Sequence, residues 1–238
     1  VDVTVRPVRK VFTTRAGGFS QPPFESFNLG DHVGDDPYAV AANRRRLAEV
    51  LKLPTEAFVW MEQIHSAHVT VVDRPQQQAV EATDCLVTTT KGLALVVLVA
   101  DCVPVLLSDT DAGVIAACHA GRMGARNGIV RKTVETMVSL GARPHQIHAL
   151  LGPAASGLRY EVPREMALDV EKRLPGAHMC TQQGTDGLDI RRGIIRQLLG
   201  LGVRAIDSDP RCTIESPEFF SYRREQKTGR QAGVIWLQ

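Results

Sequence analysis

Residues 93–121 read LALVVLVADCVPVLLSDTDAGVIAACHAG, and this stretch decides the fold class. Two apolar runs, Leu93 to Ala100 and Val103 to Leu107, are parted only by Asp101 and Cys102, and a third, Val114 to Cys118, follows a turn over Asp109 to Gly113. The longest run is far too short to span a bilayer and reads as a fully buried strand. Upstream, Cys85 to Thr90 has the same character, so the centre of the chain is β-rich.

Working outward, Phe58 to Met61 and Val69 to Val72 read as short strands around the loop Glu62-Gln63-Ile64-His65-Ser66, which puts His65 at a strand edge. Asp36 and Pro37 start a helix whose apolar stripe is Val40, Leu47, Val50 and Leu51, whose polar side carries Arg44, Arg45 and Arg46, and which ends before Pro54. Residues 1–14 read as a strand. The Gly- and Pro-rich segment from Arg15 to Gly34 is long enough for a compact domain that a functional loop is expected. Downstream, a helix is expected from Ala125 with the spacing Ile129, Val130, Thr133, Val134, Met137, Val138, closed by Gly141 and Pro144. Further helices are expected over Arg164 to Leu174 and Arg191 to Leu201, and strands over Arg204 to Ile206 and Ala232 to Leu237. No repeat, low-complexity tract or linker divides the chain, so residues 1–238 are expected to form one α/β or α+β domain.

Composition narrows the function. Hydrophobic residues make up 44% and charged residues 23%, as in an ordinary globular protein. Lys and Arg total 28 against 26 Asp and Glu, and a net charge of +2 is too balanced for binding nucleic acid through phosphate neutralisation. A small-molecule partner is expected, with neither nucleic acid nor membrane. Val1 to Phe12 alternates apolar and charged residues, unlike a signal peptide. The five cysteines, Cys85, Cys102, Cys118, Cys180 and Cys212, lack the spacing of a disulfide scaffold. Reduced thiols in a cytoplasmic monomer are the expectation.

Three residues of metal-binding type sit at chain reversals: His65 in Gln63-Ile64-His65-Ser66, Cys102 after Ala100-Asp101, and His119 before Ala120-Gly121. Their spacing matches no compact metal motif, and taken singly a cysteine between buried strands is a small core residue. Cys85, Cys118 and His68 are read in that structural sense.

The odds change with a resemblance that runs in order from about residue 11 to the C-terminus. Thr13-Thr14-Arg15-Ala16-Gly17-Gly18-Phe19-Ser20, Phe27-Asn28-Leu29-Gly30, His32-Val33-Gly34-Asp35-Asp36-Pro37, Gln63-Ile64-His65-Ser66, Ala100-Asp101-Cys102-Val103-Pro104, His119-Ala120-Gly121, Gly152-Pro153-Ala154, Phe219-Phe220-Ser221-Tyr222-Arg223-Arg224 and Thr228-Gly229-Arg230 resemble the laccase-domain, or YfiH-like, family. The resemblance implies an α+β layered sandwich with mixed central β-sheets and outer helices, related to the catalytic domain of cytotoxic necrotising factor. It also implies a metal, usually zinc, on His65, Cys102 and His119.

Three protein ligands leave a tetrahedral zinc ion one open position, the arrangement of a catalytic site. Cys118 is the nearest fourth donor in sequence, but neighbouring strand residues face opposite ways, so it should point elsewhere. Two imidazoles and a thiol also suit copper. Laccase chemistry needs a trinuclear copper cluster built largely from His-x-His pairs, and the seven histidines here include none. The resemblance implies instead phosphorolysis of adenosine, inosine and methylthioadenosine, with adenosine deamination at the same site. A cell-wall-precursor editing hydrolase, a copper-dependent polyphenol oxidase and a non-catalytic zinc protein are the alternatives.

Catalytic roles are expected for Cys102, for Asp101 as an acid/base or as the partner of a ligand imidazole, and for Arg44, which matches the family's Asn-Arg pair. Substrate and phosphate binding is expected of Arg44, Asn28, Gly121, Arg122, Gly124, Tyr222 and Arg223, with backbone amides of the turn after His119 facing the anion. Tyr160 and Tyr222 could stack on a base. Where relatives read His-Ala-Gly-Trp-Arg-Gly, this chain has Arg122 and Met123. Either Arg122 turns toward the anion site, or it faces solvent, Met123 replaces a charge and phosphorolysis is weak.

Overall fold

The computed structural model describes residues 7–238, so the first six residues of the expected N-terminal strand lie outside them. Two sheets form the centre. The smaller has the order β1 (Val8–Phe12), β12 (Gln231–Leu237), β5 (Ala94–Val99), β2 (Phe58–Val59). The larger has the order β11 (Ala205–Ser208), β8 (His148–Leu151), β6 (Val103–Asp109), β7 (Val114–Ala120), β4 (Cys85–Thr88), β3 (Val69–Val71). Both are mixed: β2 runs parallel to β5 while β12 is antiparallel to it, and β3 runs parallel to β4 while β7 is antiparallel to β4.

Strand alternation sorts the side chains into layers. Leu95, Val97 and Val99 of β5 meet Leu106 of β6 and Ile115 and Ala117 of β7 in the core between the sheets. The other face of β5, Ala94, Val96 and Leu98, packs with Leu47 and Ala48 of the helix α1 (Pro37–Leu51). The other face of the larger sheet, including Val105, Leu107, Ala116 and Cys118, packs on α3 (Ile129–Ser139), α4 (Arg164–Arg173) and α5 (Ile190–Gly200). The result is helix, sheet, sheet, helices. Every residue of β4 to β7 is buried because each of these strands has cover on both faces.

α1 starts as expected, with Pro37 in its first turn and the Asp36 carboxylate accepting from the Tyr38 amide. The helix expected from Ala125 is instead two, α2 (Arg122–Arg126) and α3, because Gly128 adopts φ 88 and breaks the ladder. β8, the hairpin of β9 (His178–Cys180) with β10 (Asp186–Leu188), and the one-turn α6 (Tyr222–Glu225) are elements the periodicity did not show. No helix is long and apolar enough to cross a membrane among the described residues.

The segment 15–34 is a braced loop. Buried Asn43 of α1 donates to Ser20 Oγ, Ser26 O and Asn28 O and accepts from the Phe19 amide. One amide side chain thereby fastens four points of the loop to the helix.

Candidate active site

The chain passes from the smaller sheet to the larger between β5 and β6, and Asp101 and Cys102 form that crossing. Asp101 adopts φ 93, costly for a residue with a Cβ, and three bonds hold it there. Thr213 Oγ1 donates to Asp101 Oδ1 at 2.6 Å, the Arg223 amide to Oδ2 at 2.7 Å, and the Ala155 amide to its carbonyl at 2.9 Å. Cys102 thus emerges at the edge of the inter-sheet core. His119 lies near the end of β7, on the same face as Ile115 and Ala117, and reaches the same spot.

His65 comes from the loop before β3, where it adopts φ 58. Asp84, fully buried at the start of β4, organises that loop. Its Oδ1 accepts from the Ile64 amide at 3.1 Å, the Ser66 amide at 2.8 Å and Ser66 Oγ at 2.7 Å; its Oδ2 accepts from the His65 amide at 3.0 Å. The same Oδ2 lies 2.7 Å from His119 Nδ1, so that nitrogen donates to the carboxylate and Nε2 is the ring atom turned toward Cys102 and His65. On the other side of the loop, Gln63 donates to Leu98 O at 2.7 Å and accepts from Leu98 N at 2.8 Å, fixing it to β5.

The donor atoms of His65, Cys102 and His119 lie within 4.8 Å of one another, with Cys102 Sγ 4.0 Å from His65 Nε2. Tetrahedral bonds of about 2.0–2.3 Å place donors about 3.5 Å apart, so a modest contraction closes the set on one ion. Gly121 leaves the space: a Cβ there would stand 2.9 Å from Cys102 Sγ and 3.1 Å from His65 Cδ2. Two imidazoles and a thiol are borderline-soft donors, which fits a metal of the zinc or copper kind.

The charges of Cys102, His119 and Asp84 are set by one another. Burial works to raise the Cys102 thiol, but the charge and hydrogen bonds of His119, with help from His65, bring it down to about 6. Burial likewise opposes charge on His119, and Cys102 and Asp84 overcome it, raising the imidazole to about 9. Burial also opposes charge on Asp84, while its bonds to His119 and Ser66 hold it at about 2.

The cluster lies in a cavity of about 750 Å³, of the size that takes small ligands. Arg122, Tyr160, Tyr222, Arg223 and Arg230 contribute to its walls. Arg223 stacks on Tyr160 with its guanidinium carbon 4.8 Å from the ring centre, and its Nη1 donates to Glu161 O. Of the two orientations open to the Arg122-Met123 pair, Arg122 faces the cavity and Met123 does not line it.

Other expected site residues are placed differently. Arg44 does not line the cavity: its Nε and Nη2 donate to Leu29 O and its guanidinium lies 3.7 Å from the centre of the Trp60 ring. Asn28 is buried behind the wall and Gly124 packs against Ser66 O, where a Cβ would come within 2.8 Å. The carboxylate on the ligand imidazole is Asp84, whereas both oxygens of Asp101 are taken by Thr213 and Arg223. Cys118 faces away as expected, buried beside Cys85 and α3. The turn after His119 runs into the five-residue α2, too short to carry much helix dipole. Asp84 and Arg230 were missed as site residues. The one trace of Asp84 in the sequence is a charged residue set directly against a strand that is otherwise buried.

Two sheets in contact, with two imidazoles and a thiol gathered where the chain crosses between them, define an α+β protein built around a candidate metal centre. The chain belongs to the multi-copper polyphenol oxidoreductase laccase family, whose model matches residues 9–238. A purine nucleoside phosphorylase of Corynebacterium glutamicum is 69% identical, with 100% of this chain and 97% of that one covered. One of Mycobacterium tuberculosis is 56% identical, with 100% and 94% covered. The fold matches YfiH of Bacillus licheniformis with a TM-score of 0.91 at 32% identity over 97% of this chain and 93% of that one. It matches YlmD of Geobacillus stearothermophilus with a TM-score of 0.92 at 34% identity over 97% and 92%.

Proposed function

We propose that the chain is a zinc-dependent purine nucleoside phosphorylase acting on adenosine, inosine and methylthioadenosine, with adenosine deaminase activity in the same cavity. The observation that carries this reading is the meeting of a three-donor metal set with the Arg122 and Arg223 side chains on one cavity of about 750 Å³. That combination suits a neutral nucleoside beside an anion. The names of the relatives at 69% and 56% identity support it.

A zinc ion on His65, Cys102 and His119 would supply a Lewis acid with one open coordination position. The protein does the rest. Arg122 and Arg223 bring positive charge to the anion's side of the cavity, and Tyr160 and Tyr222 present ring faces to the base. Asp101 shapes the turn that aims Cys102, and Asp84 keeps the proton of His119 on Nδ1. In phosphorolysis a phosphate oxygen bonds to C1′ of the ribose as the N-glycosidic bond breaks, and the base leaves with a proton. In deamination water adds at C6 of adenine and ammonia leaves. Both reactions bring an oxygen nucleophile to an electrophilic carbon inside the same walls.

Multicopper oxidation finds little support, since no second group of three His, Cys, Asp or Glu draws together among the described residues. The test is to incubate metal-analysed protein with inosine or adenosine, with and without phosphate, and to separate the products. Hypoxanthine and ribose 1-phosphate should form from inosine only with phosphate, and adenosine should give some inosine without it. Oxidation of phenols with no turnover of any nucleoside would overturn the proposal.

A further inference from the structure

Arg230 is half-buried in the cavity wall that also contains His65, Cys102 and His119. No carboxylate lies within salt-bridge distance of it among the described residues. Two other arginines of the fold have their partners within the protein. Arg224 donates to the carbonyls of Thr213, Ile214, Ser216 and Phe219, and Arg126 is paired with Asp169. Arg230 differs from these two: its Nη1 donates to Thr228 O at 3.1 Å and Gly229 O at 2.9 Å, while Nε and Nη2 have no protein acceptor among the described residues. Those two nitrogens form the edge of the guanidinium that binds an oxyanion through two parallel bonds.

The side chain is also pre-set. Asn28 Oδ1 accepts from the Arg230 amide at 2.8 Å and from the Gly30 amide at 2.9 Å, while Asn28 Nδ2 donates to Gly30 O and Asp35 Oδ2. Arg230 Cγ lies so close over Gly30 that a Cβ there would come within 2.9 Å. The braced loop thus forms a bed for the arginine, and that gives buried Asn28 its place in the site although it never reaches the cavity.

We propose that Arg230, seated on Asn28 and Gly30, is the residue that grips phosphate in the cavity, binding two of its oxygens through the free Nε and Nη2 edge. Burial opposes charge on this guanidinium, with the Cys102, Asp101 and Tyr222 groups favouring it, and its carbon lies 6.0 Å from the centre of the Tyr222 ring. Arg223 is exposed, and Arg122 donates to Met123 Sδ. They flank the anion; Arg230 fixes it. The inference rests on the phosphorylase reading, since phosphate is the co-substrate there. A phosphate group could also arrive as the 5′-phosphate of a nucleotide.

The test uses zinc-loaded protein and inorganic phosphate, with binding followed by phosphorus NMR titration and the phosphate KM by inosine turnover. Arg230→Gln should raise both the phosphate Kd and its KM by about ten- to a hundredfold, and Arg230→Lys, keeping charge without the fork, should fall between. Zinc content and Tm report folding, and the Lys variant serves if the Gln variant does not fold. Phosphate binding and KM unchanged in both variants of an active protein would overturn the role of Arg230 alone. A wild-type protein that binds phosphate but never cleaves inosine would instead overturn the phosphorylase reading. Binding of adenosine 5′-monophosphate that depends on Arg230, with no binding of inorganic phosphate, would overturn free phosphate as the ligand.

Discussion

Replacing Asp84 with Asn keeps the size of the side chain and removes one acceptor and the charge. The carboxylate accepts five hydrogen bonds, three at Oδ1 and two at Oδ2. An amide placed with its oxygen toward Ile64 and Ser66 sets its NH₂ against the His65 amide and His119 Nδ1. The first meeting is donor against donor. The second requires the His119 proton to move to Nε2, the nitrogen a metal needs. Two bonds to a charged acceptor are lost, on the order of 1.5–3 kcal/mol each, so the metal-free Asp84→Asn protein should lose about 3–6 kcal/mol of stability. Zinc affinity should fall by roughly ten- to a hundredfold, the usual effect of removing a carboxylate behind a ligand imidazole. Denaturant unfolding of metal-free protein measures the first quantity and competition with a chelator the second. Ser66→Ala is the control, because it deletes one bond to Oδ1 and leaves His119 alone. It should cost about 1.5–3 kcal/mol and leave zinc affinity within about threefold. Wild-type zinc affinity in Asp84→Asn, or an equal loss in Ser66→Ala, would refute the reasoning.

Among the ligands, His65→Ala and His119→Ala should both release metal but differ in stability. His65 is exposed, whereas His119→Ala leaves the buried Asp84 short of a donor and should cost about 1–3 kcal/mol more by denaturant unfolding. Gly121→Ala should weaken metal binding, read by chelator competition, since its Cβ would stand 2.9 Å from Cys102 Sγ. Burial lowers Lys10 to about 7 against the pull of Asp207, with its Nζ 2.6 Å from His148 Nδ1 and His148 Nε2 2.7 Å from Asp207. Between about pH 7 and 10.5 the unfolded chain then holds more protons at this site, so its contribution to stability rises with pH. Lys10→Met should be more stable than wild type at pH 7, the difference shrinking toward pH 10, as measured by unfolding across that range.

How far the sequence led can be read from particular residues. β5, β6 and β7 were legible because continuous valine and leucine runs bounded by Asp101-Cys102 and Asp109 to Gly113 have few other readings. That same continuity hid which face of each strand met which layer, since a strand buried on both sides carries no polar mark to orient it. Cys102 and His119 stood out at strand ends. Asp84 did not, because its five partners come from a loop 18 to 20 residues earlier and a strand 35 residues later. Arg44 was expected in the cavity on the strength of its neighbour Asn43. One step along a helix turns a side chain by about 100°, so Asn43 braces the loop from within while Arg44 reaches Leu29 O and the Trp60 ring instead of the cavity.

The crossing between β5 and β6 has a further meaning. His65 is held to β4 by Asp84 and to β5 by Gln63, so its loop rivets one sheet to the other. Cys102 sits on the crossing itself, and His119 rides on the larger sheet. The three donors therefore gauge the spacing of the two sheets. Core residues such as Leu106 and Ile115, which touch no ligand and no substrate, set that spacing. Trimming one of them should be felt first as a change in which ion the protein prefers, before the fold itself gives way.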